Sequence, residues 1–178
     1  MRVQHERTLS TSAFPGDTGD PDPRTRRLLA AFSAGPSTDG YLRVVAALCG
    51  DRVLVPVVAT ATRLDRGTGG LFSDKEAEMS VVGVQAPDGR RALLAFTGMD
   101  SLEAWDATAR PVPVTLDKAA EATLADGAAA LLVDLAGPDP LAIEGEVLAQ
   151  LAAGNRLVEL DDGFGWAVTT TDPTPAAE

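Results

Sequence analysis

The chain has 178 residues, enough for one domain with a hydrophobic core and cramped for two. Hydrophobic residues make up 45% and charged residues 23%, which excludes wholesale disorder, and an aromatic share of 4% predicts an aliphatic core with few platforms for stacking bases or sugars. The formal charge of −11 argues against a nucleic-acid partner, since phosphate backbones select basic surfaces.

The lone Cys49 excludes an intramolecular disulfide and a cysteine-based metal cage, and its place after the apolar run VVAAL predicts a structural thiol. No apolar run approaches the roughly 18 residues of a membrane span, and MRVQHERTLSTSAF lacks a signal-peptide core. A cytoplasmic location is expected, with no membrane partner.

In chain order, residues 1–13 read as a flexible tail carrying the only histidine. FPGDTGDPDP has turn composition. Its Asp17, Asp20 and Asp22 lack EF-hand spacing, with Leu28 where a closing glutamate should stand, so no metal is expected. Asp22-Pro23 starts a helix with Leu28, Leu29 and Phe32 on its apolar stripe, ended by Gly35-Pro36. Arg24, Arg26 and Arg27 form a basic face on that helix, expected to be solvated. Thr38 or Asp39 caps a second helix through Val44, Val45 and Leu48 to Gly50.

RVLVPVVAT is a strand whose Pro56 cannot donate to a ladder, so it belongs at an edge or with its proline on an unpaired side. TRLDRGTGG at 62–70 is a loop by composition. Met79–Ala86 and Arg90–Phe96 form a central hairpin through Asp88-Gly89, residues that tolerate positive φ. Asp100 caps a short helix, with Glu103 placed to close a capping box and Leu102 and Trp105 facing the core. RPVPV is extended and edge-bound.

A helix from Thr115 or Asp117 to about Ala125 precedes the apolar AAALLVDLAG, read as a strand buried on both faces. Ile143, Val147, Leu148 and Leu151 mark a further helix ending at Gly154-Asn155. Leu157–Leu160 and Trp166–Thr170 are short strands about Asp162-Gly163, and residues 171–178 form a second flexible tail. The sum is an α+β fold, a mixed sheet with a central antiparallel hairpin and helices packed against it, in a single domain over 14–170.

The segments AFPGDTGDPDPR, RVLVPVVA, SDKEAEM, DGRRALLAFTG, EAWDATARPVPV and the final helix before LAAG resemble the SseB family of "enhanced serine sensitivity" proteins. The resemblance is strongest to the single-domain form common in actinobacteria and covers most of Phe14 to Gly154. It implies an α+β domain and carries no established reaction, cofactor or catalytic residue. Glu78 stands where such sequences are expected to have aspartate, which leaves the charge in place.

No nucleophilic triad is legible, because His5 lies in the tail and no GxSxG elbow occurs. RGTGG opens no phosphate loop. Lys75, between Asp74 and Glu76, keeps its proton and is unsuited to Schiff-base work. Asp74, Lys75, Glu76 and Glu78 precede the first hairpin strand, and Thr97 and Asp100 follow the second. These groups are expected at one edge of the sheet with Trp105 and Arg110 nearby, a polar rim around an aromatic suited to a protein or small-molecule contact. The expectation is a non-enzymatic binding or interaction module with no cofactor. The alternatives are an enzyme or ligand sensor linked to serine or amino-acid metabolism, drawing acid and base from those carboxylates, and a subunit whose proline-bearing edges pair with another copy.

Overall fold

The structure, a computed structural model, describes residues 14–59 and 79–168. The two tails, the 62–70 loop and the run Asp74–Glu78 lie outside the described residues.

Helix α1 (Pro23–Ala34) starts as the sequence predicts: the Asp22 carboxylate accepts from the Arg24 and Thr25 amides, with proline in the first turn. Helix α2 (Thr38–Gly50) is capped one residue earlier than expected, by Ser37, whose hydroxyl accepts from the Gly40 amide. Strand β1 (Arg52–Ala59) follows, then β2 (Met79–Val81), β3 (Gly83–Gln85) and β4 (Arg91–Ala95). Helix α3 (Met99–Trp105), strand β5 (Arg110–Thr115), helix α4 (Leu116–Ala125) and strand β6 (Ala130–Val133) come next. Strand β7 (Leu141–Glu144), helix α5 (Gly145–Ala152) and the hairpin β8 (Arg156–Leu160) and β9 (Gly163–Ala167) complete the order.

The sheets run β2-β1-β5, β3-β4-β6-β7 and β8-β9. All pairings are antiparallel except β4 with β6, which is parallel through Ala92–Ala95 and Ala130–Val133. This is the predicted α+β fold with mixed pairing and an antiparallel hairpin at its centre.

Pro56 joins the first two sheets. Strand β1 is internal, with β2 on one side and β5 on the other, so of the two alternatives for Pro56 the edge fails and the unpaired side holds, while β5 does lie at an edge. The proline falls where β1 changes partners. Its carbonyl accepts from the Val82 amide, but it has no N–H to return, and the Val82 carbonyl accepts from Leu94 instead. Two residues earlier, Leu54 exchanges both backbone hydrogen bonds with Phe96 of the β4 end. The missing donor thus bends the β2–β3 strand at Val82 and lets β1 and β4 meet beyond it.

Side chains alternate between two apolar clusters, as strand geometry requires. Val53, Val55, Leu93, Ala95, Leu131, Val133 and Ile143 face the large core under α1, α2, α4 and α5. Leu54, Leu94 and Phe96 face the opposite side, covered by Leu102 of α3 and, in part, by Met99 and Trp105. Burying a large apolar side chain is worth roughly 1.5–3 kcal/mol, so both clusters outweigh any single polar contact described below.

Four further expectations need correction. Ile143 lies in β7, where Leu141 and Ile143 are buried and Ala142 and Glu144 exposed; this is a period of two, and the helix begins only at Gly145. The β6 strand is only half-buried on one face, at Ala130 and Leu132. Only Gly89 of the Asp88-Gly89 turn takes positive φ, while Asp88 accepts from the Arg90 amide. The last strand is Gly163–Ala167, with the turn at Asp161-Asp162 between Leu160 and Gly163.

Candidate functional site

The parallel strands β4 and β6 end side by side, and the residues that leave them carry polar side chains. Thr97 follows β4, and Asp134 follows β6 at φ 52, the one non-glycine residue with positive φ among the described residues. Aspartate tolerates this left-handed backbone better than most residues, and β6 stops there. Asp134 is 1% exposed, and its carboxylate accepts from the Thr97 amide at 2.9 Å, the Thr97 hydroxyl at 2.7 Å and the Ser101 hydroxyl at 2.6 Å. The Ser101 oxygen also lies 3.0 Å from the Gly98 carbonyl. It has one proton, which goes to the nearer and stronger acceptor, the carboxylate.

Arg26 of α1 completes the cluster. Its Nε donates to the Thr97 hydroxyl oxygen at 2.7 Å and stands 3.7 Å from Asp134 Oδ2. Its Nη2 reaches Asp100 at 2.6 Å and Ser101 Oγ at 3.3 Å. The guanidinium is therefore linked to the buried carboxylate through two hydroxyls, each accepting from Arg26 and donating to Asp134. With every member satisfied, such a network fixes the relative positions of α1, α3 and the two strand ends.

Arg52, the first residue of β1, adds a second guanidinium, with its side chain 10% exposed. It holds the Asp17 carboxylate with two bonds, Nε to Oδ2 at 2.7 Å and Nη2 to Oδ1 at 3.0 Å. It also donates to the Asp20 carbonyl at 2.8 Å and to the Thr97 carbonyl. The bond from Arg52 holds the Asp17 carboxyl below the usual carboxylate range. Next to it, burial pushes the Asp51 carboxyl up, against the Thr25 hydroxyl that donates to it. A cleft of about 240 Å³ opens between these groups, lined by Asp17, Asp20, Asp22, Asp51, Arg52 and Thr97.

Of the residues expected at the sheet edge, Thr97 and Asp100 meet around Arg26. Asp100 does not cap α3: Gly98 holds the cap position without a side-chain bond, the Met99 amide donates to the Gly19 carbonyl, and Glu103 is exposed. Trp105 packs on Phe96 with ring centroids 5.7 Å apart, half-buried in the smaller cluster. Arg110 is exposed opposite Val57, while Arg52 pairs with Thr115. At ~3.4 Å per residue, Arg110 stands about 17 Å along β5 from the Arg52 end. Asp74, Lys75, Glu76 and Glu78 lie outside the described residues. Met79 pairs with Ala59, whereas Phe96 pairs with Leu54, so the two ends of the hairpin meet β1 five residues apart.

Arg26, Arg52, Ser101, Asp134 and Asp17 were not singled out from the sequence as site residues. The expectation of a solvated arginine face fails for Arg26, whose side chain is 20% exposed, and holds for Arg24 at 64%. The available signal was ALLVD, an apolar strand ending in a lone acid.

Two other grooves have less to offer. The larger, about 680 Å³, runs between α2 and β8 past Cys49, whose thiol burial pushes up, away from the nucleophilic thiolate. The other, about 300 Å³, is lined mostly by apolar residues such as Val84, Ala92 and Leu132, with Arg90, Arg91 and Glu144 also on its wall. Among the described residues, no group of three or more His, Cys, Asp or Glu is placed to hold a metal ion, and no helix is long and apolar enough to cross a membrane.

No curated protein and no solved structure matches the chain. The family model for the SseB protein N-terminal domain matches residues 26–150, from Arg26 in α1 to Gln150 in α5, and so includes Arg52, Thr97, Ser101 and Asp134. The chain belongs to the SseB N-terminal domain family.

Proposed function

We propose that this domain is a non-enzymatic binding module and that its contact face is the region around Arg26, Arg52, Thr97 and Asp100. One observation carries the reading: the polar cluster lies at the carboxyl ends of the parallel pair β4 and β6, and a cleft opens beside it at Thr97 and Arg52. In open α/β sheets ligands bind outside the carboxyl ends of the parallel strands, and the pair β4 and β6 offers one such end by analogy. The groups there are fixed before any ligand arrives, because Arg26, Thr97, Ser101 and Asp134 hold one another. A preformed polar face of this kind binds without the cost of ordering side chains.

The test is a charge reversal at the exposed rim. Asp100 has a side chain 60% exposed, so Asp100→Arg should change stability by only about 1 kcal/mol. The wild-type chain is used to capture and identify a partner by mass spectrometry, and the variant is then offered the same purified partner. Loss of that partner with the fold retained and a melting temperature within several degrees of wild type supports the face, and full retention rejects it. Turnover of any amino acid by the purified chain would overturn the non-enzymatic reading.

A further inference from the structure

Residues 14–21 cross this face as a strap and meet it through a carboxylate. Apart from half-buried Phe14, Gly19 and Pro21, the strap is exposed, and open space flanks it. The 240 Å³ cleft lies on one side, and on the other is a groove of about 380 Å³ lined by Phe14, Thr18 and Gly19 of the strap and by Leu54, Met99 and Pro113. Close packing holds the strap at Gly19, against the Met99 side chain, and at Pro21, against Gly98. Directed contacts hold the rest: the two bonds from Arg52 to Asp17, the Arg52 bond to the Asp20 carbonyl, and the Met99 amide donating to the Gly19 carbonyl at 2.8 Å.

These are the contacts an acidic peptide would make. The planar fork of arginine matches a carboxylate in two-point geometry, and a backbone carbonyl two residues later meets an amide of the domain. We propose that Arg52 is a receptor for the carboxylate of an acidic peptide, and that residues 14–21 occupy it as a built-in competitor. The inference rests on the binding-face reading above and names the ligand class for it.

Displacement exchanges one carboxylate for another. Without the strap, Arg52 loses both Asp17 oxygens and the Asp20 carbonyl and keeps its bond to the Thr97 carbonyl, which leaves its guanidinium open to a second carboxylate. Departure of the strap also removes two acids, Asp17 and Asp20, from the cleft. Of those that remain, Asp22 accepts the α1 amides and Asp51 accepts the Thr25 hydroxyl. The face then presents Arg52 and Arg26 with less opposing charge.

The experiment uses the strap's own sequence in trans. A fluorescein-labelled FPGDTGDP peptide amide is titrated into the full chain, its Asp17→Asn variant and its Gly19→Val variant, with anisotropy as the readout. Asp17→Asn removes the competing carboxylate. Gly19→Val leaves it intact but ejects the strap, because a Cβ at Gly19 would stand 2.4 Å from Met99 Cγ at φ +84. Both variants should bind the peptide at least about tenfold more tightly than wild type, whose tethered strap competes at high effective concentration. A peptide with asparagine at the first aspartate should not bind, and N-acetylaspartate amide should compete only weakly.

Equal affinity of wild type and variants, no binding to either variant, or equal binding of the asparagine peptide overturns the proposal. N-acetylaspartate amide competing as well as the peptide overturns the peptide as ligand class. Loss of the fold in both variants overturns it too, since a strap needed for folding is not displaceable. If these fail while Asp100→Arg still abolishes partner capture, the face stands and the strap's role falls.

Discussion

Replacing Asp134 by alanine tests whether the buried network holds the strand ends together. The change deletes the acceptor for the Thr97 amide, the Thr97 hydroxyl and the Ser101 hydroxyl. Ser101 can turn to the Gly98 carbonyl 3.0 Å away, so its loss is small. Thr97 is 3% exposed, and its two donors have no such substitute. Leaving a buried donor without a partner costs about 1–3 kcal/mol. Arg26 loses its buried counter-charge, and alanine at φ 52 adds about 1 kcal/mol of backbone strain. These terms share partners and do not add fully, so the expected loss is about 3–5 kcal/mol. Urea unfolding followed by tryptophan fluorescence reads it, since Trp105 stacks on Phe96 next to Thr97. Asp134→Gly removes the same carboxylate without the strain and should be more stable than the alanine variant by about 1 kcal/mol. A loss below about 1 kcal/mol for alanine would refute the network's role, and alanine matching glycine would refute the strain argument.

Asp51 should behave in the opposite sense. Its carboxylate sits at the C-terminal end of α2, where the helix dipole disfavours negative charge, and burial raises its pKa above 3.8. The protonated form favours folding below the unfolded value, and that advantage is lost as pH rises through the folded value. Asp51→Asn should therefore be more stable than wild type by up to about 1 kcal/mol at pH 7, with the gain vanishing below about pH 4 in paired thermal melts. Asp17 has the reverse sign: its pKa is lowered from 3.8 by the bond from Arg52. The Arg52 contact contributes fully above about pH 5 and is lost as pH falls below 3.8, so wild type and Asp17→Asn should converge in acid. A stability gap that widens on acidification would contradict the pairing.

The sequence made the element types legible wherever local chemistry decides them. Asp22-Pro23, the apolar stripe of α2 and the prolines of β5 act through neighbouring backbone, and each predicted its element. Pro56 shows the limit: its missing N–H was evident, but its consequence depends on Val82 and Leu94 being brought together from another part of the chain. Ile143 was misplaced because LAIE offers only two alternations before a helical pattern begins. At the site, Thr97 and Asp100 stood out through their place after the hairpin. Asp134 did not, because its partners lie 33 and 37 positions away along the chain. Arg26 and Arg52 were hidden for the same reason, since nothing local distinguishes a solvated arginine from one that bridges three elements.

Amide chemical-shift mapping tests the central claim, a contact face at the carboxyl ends of β4 and β6, most directly. The acidic peptide is titrated into the full 15N-labelled Asp17→Asn chain until the spectrum stops changing. The largest shifts are expected at Arg52, Thr97, Gly98 and Asp134, with the β8–β9 hairpin unmoved. Shifts centred on that hairpin or on the groove over Val84 and Leu132, or no shifts at all, would contradict it.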